Sequence, residues 1–144
     1  MLGDFSLDVT VSARPRGGKT VSALFIASNV AAGMFHEGFN NIRVLVASDD
    51  REDVVTNKFM MGQVRGMLKS PPRPLPSGAE PQRGLDIKVT NDYTVEGISE
   101  FAVDGKFDVV VIDHGHFADE DIDTLKTNLL RKGGSFISTI NDSI

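Results

Sequence analysis

The chain has 144 residues, a formal net charge of −5 and no cysteine. That length is enough to bury a core as a single domain, and the missing thiols exclude disulfides and cysteine-ligated zinc or iron–sulfur centres. With apolar residues at 40% and charged residues at 24%, the composition is that of a globular protein. The acidic balance leaves only a local basic patch for any nucleic-acid contact.

In chain order, residues 1–6 read as a lead-in strand or tail without identifiable chemistry. There is no basic-then-apolar signal pattern, and outside one apolar helix there is no uncharged run of the roughly 18 residues a membrane span needs. A cytoplasmic protein without membrane contact is therefore expected. Val9 and Val11, among β-branched neighbours, predict a buried strand that stops at a Pro/Gly break. Val21, Leu24, Phe25, Ile26, Ala27, Val30, Ala31, Met34 and Phe35 predict a helix apolar on nearly every side, and so an interior one.

Between strand and helix stands Ala13-Arg14-Pro15-Arg16-Gly17-Gly18-Lys19-Thr20. Residue types of this kind suit a phosphate-binding loop. Backbone N–H groups of Gly17, Gly18, Lys19 and Thr20 can wrap a phosphate chain, because glycine permits close, twisted backbone. The helix N-terminus adds about half a positive charge at the same point. Lys19 would reach the β- and γ-phosphates and the Thr20 hydroxyl would hold Mg²⁺. A Gly-Gly turn ahead of a capped helix also fits these eight residues, but the order strand, loop, helix favours the phosphate loop.

Gly38 and Asn40-Asn41 break the chain, and Ile42 to Ala47 predict a second buried strand. It runs into Ser48-Asp49-Asp50-Arg51-Glu52-Asp53. Carboxylates at the end of a strand beside a phosphate site suit metal or water handling. They equally suit a helix start, with Ser48 or Asp49 as cap and Glu52 and Asp53 complementing the dipole, and both readings can hold together. A helix is predicted from about Glu52 to Leu68, with Val54, Val55, Phe59, Met60, Val64 and Met67 inward.

Ser70 to Gly84 carries five prolines and two glycines in fifteen residues and predicts an exposed, mobile loop. Its Arg73 and Arg83, like Arg65 and Lys69 before it, either meet nucleic acid or a neighbouring subunit or are simply solvated. Leu85 to Thr90 predict a third strand. Thr94 is placed to cap a short helix through Val95, Ile98, Phe101 and Val103, ended by Gly105. Phe107 to Ile112 form an apolar run closed by Asp113, an interior parallel strand with the form of a Walker B motif. Asp113 would hold the Mg²⁺ shell opposite Thr20. A helix from Asp119 to Arg131, with Ile122, Leu125, Leu129 and Leu130 inward, closes at Lys132-Gly133-Gly134. Ser135 to Ile140 make a fifth strand, ending in Asn141.

Ala13-Arg14-Pro15, two residues, Gly18-Lys19-Thr20 and then Ala23-Leu24, Ile26-Ala27 and Val30-Ala31 together resemble the phosphate loop of DnaB-type replicative helicases, which are RecA-like ATPases. Their loop typically reads Ala-Arg-Pro-x-x-Gly-Lys-Thr and, like this one, lacks a leading glycine. The resemblance implies an α/β P-loop domain over residues 1–144, with a mostly parallel five-stranded sheet and helices on both faces. It implies ATP and Mg²⁺ as cofactors, held by Arg16, Gly17, Gly18, Lys19, Thr20, Asp113 and Asn141. Asp50 matches the water-activating Glu at the end of the family's second strand, with a side chain shorter by one methylene. His114 follows Asp113 where many P-loop enzymes place that Glu, and reads as an ordinary loop histidine. His116 falls where the family often carries a Gln that senses the γ-phosphate, and Asn141 where it carries a polar γ-phosphate sensor.

Family topology also leaves the strand before the phosphate loop without a partner on one side. The chain is then expected to be a fragment, a reduced relative or one part of an assembly that covers that edge. Three functions stay open. The first is a motor acting on single-stranded DNA as part of an oligomer. The second is a small-molecule kinase, since Phe107 to Phe117 also resemble the thymidine kinase segment around its catalytic Glu, with His114 in that position and no cysteine-bound zinc. The third is a weakly catalytic nucleotide-binding scaffold.

Overall fold

The computed structural model describes residues 8–13, 19–39, 41–48, 50–69, 84–112 and 117–141. For residues 12, 13, 19, 20, 69, 140 and 141 it describes the backbone path only. Strands β1 (Asp8–Ala13), β2 (Asn41–Ala47), β3 (Gly84–Thr90), β4 (Phe107–Ile112) and β5 (Leu130–Asn141) form one sheet in the order β1-β5-β4-β2-β3. Every neighbouring pair is parallel. This makes the fold α/β, with a five-stranded parallel sheet.

Parallel strands need long crossovers, and here they are helical. Along β4, Val109 and Val111 join one apolar cluster while Val110 and Ile112 join the other, the two-residue alternation of a sheet covered on both faces. The first face packs on α1 (Lys19–His36), α2 (Glu52–Met60) and α3 (Val64–Lys69). The second packs on α4 (Val95–Ser99), the 3-10 turn Glu100–Ala102 and α5 (Asp119–Leu129). The division follows the direction of travel. From β1 to β3 the chain moves one way across the sheet, and from β3 to β5 it moves back, so right-handed crossovers put the two sets of helices on opposite faces.

Several sequence expectations need correction. The predicted helix 52–68 is two helices, broken at Met61-Gly62-Gln63. A Cβ on Gly62 would overlap the Ser28 side chain, and the Ser28 hydroxyl, fully buried on α1, accepts the Val64 N–H at 3.1 Å. The break lets α3 close on α1, with Ser28 satisfying a donor at its start. Helix α1 is buried along Ala23, Leu24, Ala27, Ala31, Met34 and Phe35, but Val21 and Phe25 are exposed. The short helix predicted through Val103 is α4 followed by the 3-10 turn, which ends at Ala102 and leaves Val103 outside it and exposed.

Strand β1 is only half-buried, because it lies at the sheet edge with β5 as its neighbour and Asp8 and Thr10 facing solvent. Helix α5 ends at Leu129, not Arg131, and β5 begins at once. Gly133 and Gly134 are no helix terminator but part of an irregularity in the β4–β5 ladder, where Phe107 pairs Leu130 and Val109 pairs Ser135. Gly133 sits at φ +81, and a Cβ on Gly134 would press on the Asp108 carbonyl at 2.8 Å. Other expectations hold. The Thr94 hydroxyl accepts the Gly97 N–H at 3.0 Å to cap α4, and Gly105, at φ +151, follows the 3-10 turn.

Candidate functional site

All five strands run the same way, so every carboxyl end lies at one edge of the sheet. Ala13 pairs Asn141, Ile112 pairs Ser138, and Ala47 pairs both Ile112 and Thr90. Strand β5 alone separates β1 from β4, so the two strands lie roughly 10 Å apart at ordinary strand spacing, with β1 ending three residues further along β5. Strand β2 borders β4 on its other side. The chain leaves β2 toward α2 on one face and leaves β4 toward α5 on the opposite face. A crevice at the carboxyl ends of such neighbours is where open α/β sheets bind ligands.

Helix α1 begins at Lys19, and residues 14–18 connect it to β1, so the strand–loop–helix order expected from sequence is present. Its first turn contains no acidic residue. The N-terminal amides therefore face any anion without a competing carboxylate from the same turn. Helices α2 and α5 differ, with Glu52 and Asp53 in the first turn of one and Asp119, Glu120 and Asp121 in that of the other.

Arg16, Gly17 and Gly18 lie outside the described residues, as do Asp113, His114 and His116. Of the expected Pro-rich loop Ser70 to Gly84, residues 70–83 lie outside them too, while Gly84 opens β3 instead; residues 1–7 and Asp49 are also outside. Lys19 and Thr20 open α1 and Asn141 closes β5. Asp113 is the residue after Ile112, the end of a strand whose every side chain is buried.

Asp50 is described in full. It stands just past the end of β2, its backbone N–H donating to the Ser48 hydroxyl at 3.1 Å. Ser48, fully buried, donates its own N–H to the Thr90 carbonyl at 2.8 Å. Strand β3 ends in the same way, the Asp92 N–H donating to the Thr90 hydroxyl at 3.0 Å. In both, a hydroxyl accepts the amide two residues on, so the chain turns off the sheet with its backbone satisfied. Ser48 thus shapes the turn and does not cap α2. The cap position is Arg51, which makes no side-chain capping bond, while Glu52 and Asp53 occupy the first turn as expected.

The Asp50 carboxylate meets the Lys58 ammonium of α2 at 3.5 Å, with the two side chains 43% and 33% exposed. Arg51, next door, is occupied by Asp53 at 2.6 Å. At the end of β3, the Thr94 backbone N–H and then the Thr94 hydroxyl stabilise the Asp92 carboxylate and hold it below the usual range. Among the described residues no group of three or more His, Asp or Glu side chains is placed to hold a metal ion, and no helix is long and apolar enough to cross a membrane.

Two residues escaped the sequence reading. Lys58 lies within the predicted helix 52–68 with no role assigned to it; the signal was its place nearly two turns into a helix preceded by a carboxylate. Asp108 was lost inside the run Phe107 to Ile112. A charge within a strand buried on both faces must have partners, and it does: Asp108 accepts the Arg43 backbone N–H at 2.9 Å and pairs with Arg131 at 3.2 Å.

Neither a scan against protein families nor a search of curated proteins finds a match to this chain.

Proposed function

We propose that the chain binds a nucleoside triphosphate, ATP foremost, with Mg²⁺ at the carboxyl edge of its sheet and hydrolyses it as a RecA/DnaB-type P-loop domain. The observation that carries this reading is the entry into α1: a strand, five intervening residues containing Gly17 and Gly18, and an 18-residue helix that opens on Lys19 with no acid in its first turn. An anionic phosphate chain is the ligand such an end favours. The ends of β4, which Asp113 follows in sequence, and of β2, just before Asp50, lie at the same edge.

The donor set fits the metal. Mg²⁺ keeps several waters and takes one or two protein oxygens plus substrate phosphates, and Thr20 and Asp113 would supply that number. When bound it would neutralise charge on the phosphates. In this reading Lys19 binds the phosphate chain as a cation and the α1 amides fix its position. Asp50 orients the attacking water and takes its proton, while His116 and Asn141 report the γ-phosphate. Single-stranded DNA and an oligomeric assembly enter through the likeness to DnaB-type helicases.

The test is a titration of a fluorescent ATP analogue with Mg²⁺, together with ATPase turnover with and without single-stranded DNA. Lys19→Ala should weaken binding by roughly 1.5–3 kcal/mol, the worth of a charge-assisted contact. Asp50→Asn should leave affinity nearly unchanged and lower turnover on the order of 10²-fold or more. Equal affinity in wild type and Lys19→Ala would remove the proposal. Tight binding with no turnover under any condition would mark a nucleotide-binding scaffold.

A further inference from the structure

A lysine that meets the candidate water-activating carboxylate need not be a surface ornament. Lys58 lies two turns into α2, and helical side chains lean toward the N-terminus, so its long chain runs back along the helix to the loop preceding it. There the ammonium reaches Asp50 at 3.5 Å, with both side chains part-shielded. The nearer cation, Arg51, is turned away and bound to Asp53 through both carboxylate oxygens, at 3.1 and 2.6 Å. From the backbone side, the Asp50 N–H is fixed to the Ser48 hydroxyl, and Ser48 to Thr90. Asp50 is therefore held twice, by its amide from the sheet and by its carboxylate from α2.

We propose that Lys58 is the positioning residue for Asp50. Its ammonium fixes the direction of the carboxylate at the end of β2 and offsets its charge when a phosphate chain is bound. This rests on the nucleotide reading of the site. A bare carboxylate beside a triphosphate is repelled by it and swings toward solvent, and the ion pair opposes both effects. A short Asp side chain has little reach to spare, so direction matters more here than it would for Glu.

The experiment compares wild type, Lys58→Met, Lys58→Arg, Asp50→Asn and the double variant Asp50→Asn/Lys58→Met, each assayed for Mg·ATP affinity and for single-turnover hydrolysis. Lys58→Met should lower the hydrolysis rate by about fivefold, the scale of a part-exposed ion pair, with affinity within about twofold of wild type. Lys58→Arg, which keeps the charge, should restore most of the rate. In the Asp50→Asn background Lys58→Met should change nothing further, because the group it acts through is gone. The inference is overturned if wild type hydrolyses ATP and Lys58→Met matches it. It is equally overturned if Lys58→Met costs the same in both backgrounds, or if Lys58→Arg is no better than Lys58→Met. If wild type binds no nucleotide, the reading of the site itself falls, an outcome distinct from each of these.

Discussion

Replacing Asp108 should reveal how the amino-terminal half of the sheet is held. Its carboxylate is 2% exposed and takes the place of a main-chain acceptor, receiving the Arg43 amide of β2 at 2.9 Å. It also pairs at 3.2 Å with Arg131, in the irregular start of β5. One side chain on β4 thus ties strands on both sides. Arg43 spreads the tie further, donating to the Gly105 carbonyl at 2.7 Å and stacking over Phe107 at 4.5 Å. In Asp108→Ala the Arg43 amide loses a charged acceptor, worth about 1.5–3 kcal/mol. The Arg131 contact adds about 0.5–1 kcal/mol, because that arginine is 53% exposed and water can replace its partner.

The sum is roughly 2–4 kcal/mol, a fall in Tm of roughly 5–15 °C for a domain of this size. Asp108→Asn keeps an acceptor for the amide and loses the charge, so it should cost about 1 kcal/mol. Arg131→Ala should cost about the same or less. Urea unfolding followed by circular dichroism, with m-values compared, reads all three. If Asp108→Ala unfolds within about 0.5 kcal/mol of wild type, the carboxylate is not what joins these strands. If Asp108→Asn is as damaging as Asp108→Ala, charge and not acceptor geometry is the main term.

Two other outcomes concern the helices. Gly62→Ala should destabilise by roughly 1–3 kcal/mol, because the added methyl must displace the buried Ser28 side chain. Ser28→Ala strips the Val64 amide of its acceptor at a similar cost, and in denaturant titration the double variant should lose less than the sum of the singles. The Asp92 carboxylate is held below its usual range, so the stability it contributes is full at neutral pH and fades as pH falls through that lowered value. Asp92→Asn should flatten the acid limb of the Tm-against-pH curve, and an unchanged limb would contradict the assignment.

How far the sequence predicts this structure depends on which force set each feature. Strands buried on both faces, such as Val44 to Ala47 and Val109 to Ile112, are legible because burial demands continuous apolar runs. The Thr94 cap and the stop at Gly105 are legible because they are local backbone chemistry. The break at Gly62 is not, since it is imposed by Ser28 from another helix, and residues 54–67 keep a helical pattern straight through it. Nor is the start of β5. Leu129 and Leu130 read as one helix face, and only pairing with Phe107 draws Leu130 into the sheet. At the candidate site, Gly17 to Thr20 and Asp113 were readable as residue types at motif spacing. Lys58 and Asp108 were not, because their roles come from partners brought near by the fold.

The edge position of β1 also has a consequence in time. Its partner is the last strand, and Thr10 touches Ser138 across 128 residues of sequence. During synthesis at about 5–20 residues per second, Thr10 waits roughly 6–25 s for that partner to be made. Meanwhile β2, β3 and β4 can already pair among themselves, since none of their contacts needs β5. Pairing across so long a separation is also slow once both ends exist. Strand β1, which leads into the segment to which we assign phosphate binding, is therefore made before the other strands of this sheet and can pair only once β5 exists.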